Sequence, residues 1–223
     1  MMPQQINRKI LIYFFLFVIL GTLNNKNLNK LDLPKIDSIK INGLESNDLN
    51  LKKKIELLKL NNLFLIDKFQ LQKLFETINF IDEYKIFKKY PSSLEIEITE
   101  TKFLALTNIN GKNFFVGSNG KLIESKNIEN NLPYIFGNLD INNFLNLKEI
   151  IDESNLNYEE IKNLYFFPSG RWDIETFSEV LIKLPNERLK ESLDLSLKLL
   201  IDKKFDNIKL IDVRQKNQVI INE

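Results

Sequence analysis

At 223 residues, with 43% hydrophobic and 27% charged residues, the chain is long enough to bury one large core or two small ones. Its 31 basic and 30 acidic residues leave a formal charge of +1, which sets up no global field toward nucleic acid. Cysteine and histidine are absent, which excludes disulfides, thiolate–zinc sites, imidazole-assisted nucleophiles and the commonest general base.

The first element is an uncharged run from Ile10 to Leu23, ILIYFFLFVILGTL, preceded by Arg8 and Lys9. Its 14 residues fall short of the roughly 20 that a spanning helix needs. Adding Asn24 and Asn25, with Arg8, Lys9 and Lys26 snorkelling to the interfaces, brings residues 10–25 to a plausible span. Gly21-Thr22-Leu23-Asn24 is a poor match to the small-residue site of a cleavable signal, so an uncleaved anchor is preferred over a signal peptide or a buried helix. Its apolar contacts would come from Ile10, Leu11, Phe14, Phe15, Phe17, Ile19 and Leu20. The basic tail 1–9 places the N-terminus inside, giving a single-pass type II membrane protein.

Residues 26–35 are polar, end in Pro34-Lys35 and read as a linker. A folded region is expected over 36–100. Ile39 and Ile41 alternate with polar neighbours as a strand that stops at Asn42-Gly43. Ser46, Asn47 and Asp48 offer N-caps to a helix with Leu51, Ile55 and Leu58 on one face. Leu71, Leu74, Phe75 and Ile78 stripe a second helix. IDEYKIFKK and SLEIEITE alternate as two strands around Pro91-Ser92-Ser93. The order β-α-α-β-β fits a sheet covered on one face by helices.

From 101 to 223 strands dominate. Asn110-Gly111 and Asn119-Gly120 read as type I′ hairpins. LPYIFG, YFFPSGRWDIETF with its Pro168-Ser169-Gly170 turn, and SEVLIKL read as further strands. Helices are expected over Leu147–Leu156 and after Pro185, where Leu189, Leu193, Leu197 and Leu200 repeat at helical spacing. IKLIDVRQKNQVIINE closes the chain as a strand, and Val219-Ile220-Ile221 either pairs inside the sheet or forms an edge open to strand addition. The fold class is therefore α+β: an N-terminal helix, a small β-α-α-β-β domain, and a mainly antiparallel β-domain with flanking helices.

Several residues invite a chemical role and are better explained without one. Glu95/Glu97 and Glu159/Glu160 stand opposite apolar strand faces as solvated carboxylates rather than a catalytic pair. Lys52-Lys53-Lys54 and Lys88-Lys89 could meet anionic lipid or nucleic acid, yet a solvated face explains them too. Gly117 and Gly120 lack phosphate-loop spacing and serve hairpins. Trp172, the only tryptophan, suits a core or a binding hot spot. No cofactor, small-molecule substrate or enzymatic activity is expected.

In order along the chain, IDSIKINGL, Tyr90-Pro91-Ser92-Ser93-Leu94-Glu95-Ile96, Phe115-Val116 with Gly120, Leu132-Pro133 with Gly137, Gly170-Arg171-Trp172 and Asp212-Val213-Arg214 resemble the bacterial FtsQ/DivIB cell-division family. Phe80 stands where relatives have tryptophan, and Gly117 where they have an acidic residue. The resemblance implies a cytoplasmic tail 1–9, a span 10–25, a linker 26–35, a POTRA domain 36–100 and a β-domain 101–223. It also implies a non-catalytic scaffold of the inner membrane, placed at the division septum, which recruits division proteins and couples them to septal peptidoglycan synthesis. Its partners would be a septal peptidoglycan synthase and, bound by strand addition at Arg171, Trp172, Arg214, Gln215, Lys216, Gln218, Val219, Ile220 and Ile221, FtsB- and FtsL-type proteins. A second reading keeps the POTRA domain but makes the chain an envelope-assembly or secretion protein that chaperones β-substrates.

Overall fold

A computed structural model describes residues 8–23, 34–44, 49–64, 66–125, 131–202 and 207–222. The chain divides into two compact units, Met1–Lys40 with Asp48–Asp67 and Ile86–Glu95, and Ile41–Asn47 with Lys68–Lys85 and Ile96–Glu223. The expected N-caps Ser46, Asn47 and Asp48 lie outside the described residues.

The first helix, α1, is Arg8–Leu23. Its 16 residues extend about 24 Å, less than the roughly 30 Å hydrocarbon core of a bilayer. Among the described residues no helix is long and apolar enough to cross a membrane. The rest of the expected span over 10–25, Asn24 and Asn25, and the flanking Lys26 lie outside the described residues.

The elements that follow keep the expected order: β1 (Ser38–Asn42), α2 (Leu49–Glu56), α3 (Lys68–Glu76), β2 (Ile81–Lys89) and β3 (Ser93–Glu100). The three strands form one sheet in the order β1-β3-β2. The apolar periods fall inside: Leu51 and Ile55 of α2, Leu71 and Phe75 of α3, and Leu94, Ile96 and Ile98 of β3 are all buried.

A nine-stranded sheet is built from β4 (Phe103–Ile109), β5 (Lys112–Gly117), β6 (Leu122–Glu124), β7 (Tyr134–Phe136), β8 (Ile161–Phe166), β9 (Trp172–Thr176), β10 (Leu181–Lys183), β11 (Leu210–Asp212) and β12 (Ile220–Asn222), with α4 (Ile141–Asp152) and α5 (Leu189–Ile201) as its helices. The spatial order is β12-β11-β10-β9-β8-β7-β4-β5-β6. Three pairs, β4–β7, β7–β8 and β10–β11, run parallel and the other five antiparallel, so the sheet is mainly antiparallel, as expected, with parallel steps that make it mixed. Those parallel steps need crossovers, and α4 and α5 provide two of them. One sheet face, carrying Ile135, Leu164, Trp172, Ile174, Ile182 and Ile211, shares a single buried core with Phe144, Leu147 and Ile151 of α4 and Leu193 and Leu197 of α5. Both helices cover the same side, which leaves the other face open.

Three local expectations change. Asn110 and Gly111 both have positive φ, as a two-residue type I′ turn requires, but at the second hairpin only Gly120 does. There Gly117 N–H donates to Lys121 O and Gly120 N–H to Gly117 O, closing a three-residue loop whose Asn119 side chain donates to the carbonyls of Asn79 and Ile81 at 2.9 and 3.1 Å. Helix α4 starts six residues before Leu147, capped by Asp140, whose carboxylate accepts from the N–H groups of Asn142 and Asn143. The terminal run is two strands rather than one, β11 and β12, paired antiparallel.

Gly137 fixes how β7 meets β8. Its φ is +107°, and a Cβ there would stand 2.1 Å from Phe166 O. Gly137→Ala should therefore cost at least about 2 kcal/mol in a urea titration, since it combines backbone strain with a main-chain clash. An unchanged midpoint would show that the strand approach is looser than this.

Candidate functional site

The pairing registers place one cross-strand row on the open face: Phe136, Tyr165, Asp173, Lys183, Asp212 and Ile220, from β7 through to β12. Period-2 alternation puts Arg171 and Arg214 on the same face. The row alternates in sign, Asp173, Lys183, Asp212, as favourable cross-strand neighbours do.

Asp212 is fixed by Arg214. The Arg214 Nε and backbone N–H donate to Asp212 Oδ1 at 2.8 and 3.1 Å, and Nη2 donates to Oδ2. That fork, and secondarily Lys183, holds the Asp212 carboxyl below the usual range. Asp173 behaves oppositely: it is buried, and burial pushes its pKa up despite the pull of Arg171, Lys183 and Arg214. Arg171 Nε is 3.8 Å from Asp173 Oδ1, too far for a hydrogen bond, and neither atom has a hydrogen-bond partner among the described residues. The Arg171 guanidinium lies over the Phe167 ring, 3.9 Å from its centre.

Of these charges, Arg171, Asp212 and Arg214 line a shallow cleft of 510 Å³ at the β12 end of the sheet, with Ser169, Gln215 and Ile220 among its other walls. On the far side of the β11–β12 connection a second cleft of 360 Å³ is bounded by Gln215, Gln218 and Val219 together with Arg188, Leu195 and Val213. Of the residues expected on a partner face, Arg171, Arg214, Gln215 and Ile220 thus come together at the first cleft and Gln215, Gln218 and Val219 at the second. Lys216 is exposed and borders neither. Ile221 turns toward the core opposite Ile211. Trp172 is 1% exposed, with its ring 4.6 Å from Phe166 and 6.4 Å from Phe144, so its side chain packs the core and presents nothing to a surface. Asp173 and Lys183 were missed as members of the site. Strict alternation in WDIET and LIK carried the signal, since it sets both on the face opposite Trp172 and Ile182.

Asp212→Asn should lower stability at neutral pH by about 1–3 kcal/mol, the usual worth of a charged hydrogen-bonded partner. A carboxyl with a depressed folded pKa stabilises above its unfolded pKa and loses that contribution as pH falls through the folded value. The gap between the two proteins in urea titrations should therefore close as pH drops below the ordinary aspartate range. A gap independent of pH would assign the effect to shape rather than charge.

Residues 35–101 match the model of the FtsQ-type POTRA domain, and residues 105–214 match that of the FtsQ/DivIB C-terminal region of cell-division proteins. The chain belongs to the FtsQ/DivIB family. Among solved structures, the major extracytoplasmic domain of DivIB from Geobacillus stearothermophilus, as its trans isomer, is similar over 48% of this chain and 99% of its own, at 12% identity and a TM-score of 0.34. No curated protein matches the sequence. Membership of FtsQ/DivIB assigns the chain to cell division and supports a role exercised through protein–protein contacts. Strand β12 begins at Ile220, beyond the last residue matched to the FtsQ/DivIB C-terminal model, Arg214.

Proposed function

We propose that the chain is a non-catalytic division scaffold that captures FtsB- and FtsL-type partners by strand addition at β12 and couples them to septal peptidoglycan synthesis. The observation that carries this reading is the position of β12 as the outermost strand of the nine-stranded sheet, hydrogen-bonded to β11 on one side. The edge of an outermost strand offers backbone donors and acceptors to an incoming chain. Arg171 and Arg214, on the open face beside it, supply cations that select for a partner carrying carboxylates and set its register.

Apolar α1, with Ile10, Leu11, Phe14, Phe15, Phe17, Ile19 and Leu20 exposed along its length, seats the protein in the inner membrane with residues 36–223 extracytoplasmic. The domain limits 36–100 and 101–223 belong to the same reading. Capture of small coiled-coil membrane proteins from solubilised membranes, by the full chain and by a chain ending at Asp212, tests it. The full chain should capture them and the shortened chain should not; equal capture would end the strand-addition reading.

A further inference from the structure

The lysine runs that read as a solvated face in the sequence lie beside apolar surface. Leu57 and Leu60 occupy the 3₁₀ turn Leu57–Leu60 at positions i and i+3, which eclipse in that geometry and so share one side. They are 62% and 69% exposed. Phe64, 49% exposed, holds its ring 4.9 Å from that of Tyr90, 61% exposed. Large apolar side chains gathered in water within one compact unit mark an interaction surface rather than a packing accident.

The charge around them leans basic. The unit's segments 48–67 and 86–95 hold six lysines, at 52, 53, 54, 59, 88 and 89, against Asp48, Glu56, Asp67 and Glu95. Lys88 donates to Ile66 O and Lys89 pairs with Glu95, while Lys53, Lys54 and Lys59 are exposed. Exposed leucine and aromatic tips in a unit that also exposes lysines suit the boundary of an anionic bilayer, where the tips enter the acyl edge and the ammonium groups meet phosphate. Nucleic acid would satisfy the lysines but leave the leucines in water.

The route of the chain points to the same occupant. Lys35 bridges Asn62, and Ile36 N–H donates to Asn61 O at 3.1 Å. The polypeptide arriving from α1 therefore joins the fold between Leu60 and Phe64. The stretch from Leu23 to Lys35 reaches about 40 Å at most, whatever its path.

We propose that Leu57, Leu60, Phe64 and Tyr90, with the lysines around them, dock on the anionic bilayer surface that holds α1, so that the smaller unit lies on the membrane rather than hanging from it. This rests on the membrane reading of α1.

Because the chain has no cysteine, Leu60→Cys gives one labelling position for an environment-sensitive fluorophore on the full chain. The labelled protein is reconstituted into vesicles of phosphatidylcholine alone or with phosphatidylglycerol, and Lys216→Cys is labelled as a reference. The label at 60 should shift to the blue, and be quenched by bromine-labelled acyl chains, only where phosphatidylglycerol is present; the label at 216 should stay aqueous in both. Neutralising Lys53, Lys54 and Lys59 to Gln should lower the docked-to-free ratio about a hundredfold, roughly fivefold for each lysine. An aqueous label at 60 on anionic vesicles, or equal burial in neutral ones, overturns the proposal. Flotation of the same samples reports α1 separately: floating protein with an aqueous label refutes docking and keeps the anchor, whereas protein that does not float refutes both.

Discussion

Trp172→Ala should destabilise the protein by about 3–5 kcal/mol, a large fraction of the stability of a typical domain. The indole is enclosed between the rings of Phe166 and Phe144, and so bridges strand β8, its own strand β9 and helix α4. Truncation leaves a large void that this core cannot collapse to fill, because Leu164, Ile174 and Leu193 are already fully buried. Trp172→Phe keeps most of the volume and should recover more than half of the loss. Urea denaturation of the three proteins decides the matter: a loss below about 1 kcal/mol for the alanine variant would place the ring outside the core. The same experiment separates packing from binding, since any fall in partner capture should follow the fraction unfolded.

The arginine beside it obeys the opposite rule. Arg171 and Trp172 are adjacent in the chain and face opposite sides of β9, so one residue of a strand reports on the core and the next on the open face. That alternation was readable in the sequence, as were the helical stripes of Leu71 and Phe75 and of Leu193 and Leu197, because burial and periodicity coincide there. Other features were hidden for identifiable reasons. The start of α4 reads INNF, where asparagine resembles a loop; the Asp140 cap and burial of Phe144 overcome that weak local preference. The parallel pairings β4–β7 and β10–β11 join segments far apart in the chain, which short-range alternation cannot register. The division of the last run into β11 and β12 turns on Asn217, whose φ of 64° lies in the left-handed region that asparagine tolerates. The candidate site was legible as motifs, GRW and DVR, but its membership was not: Lys183 joins only because β10 lies between the strands that carry them.

Ile220→Lys should abolish partner capture while leaving the protein folded. Removing β12 outright is a blunter instrument, because Val219 and Ile221 pack against the core and their loss costs stability as well as an edge. Ile220 is 45% exposed on the open face opposite Asp212, so lysine there meets water and a carboxylate rather than a cavity, and melting should change by no more than about 0.5 kcal/mol. A lysine on an outermost strand is a standard obstacle to further strand pairing, and in this position it would also sit within reach of Arg171 and Arg214 and crowd the cleft with like charge. Ile220→Val, which keeps β-branching and leaves the edge uncharged, should bind as the parent does. Capture that survives Ile220→Lys would move the partner away from β12, and the opposite edge of the sheet, β6, would then be the strand to block.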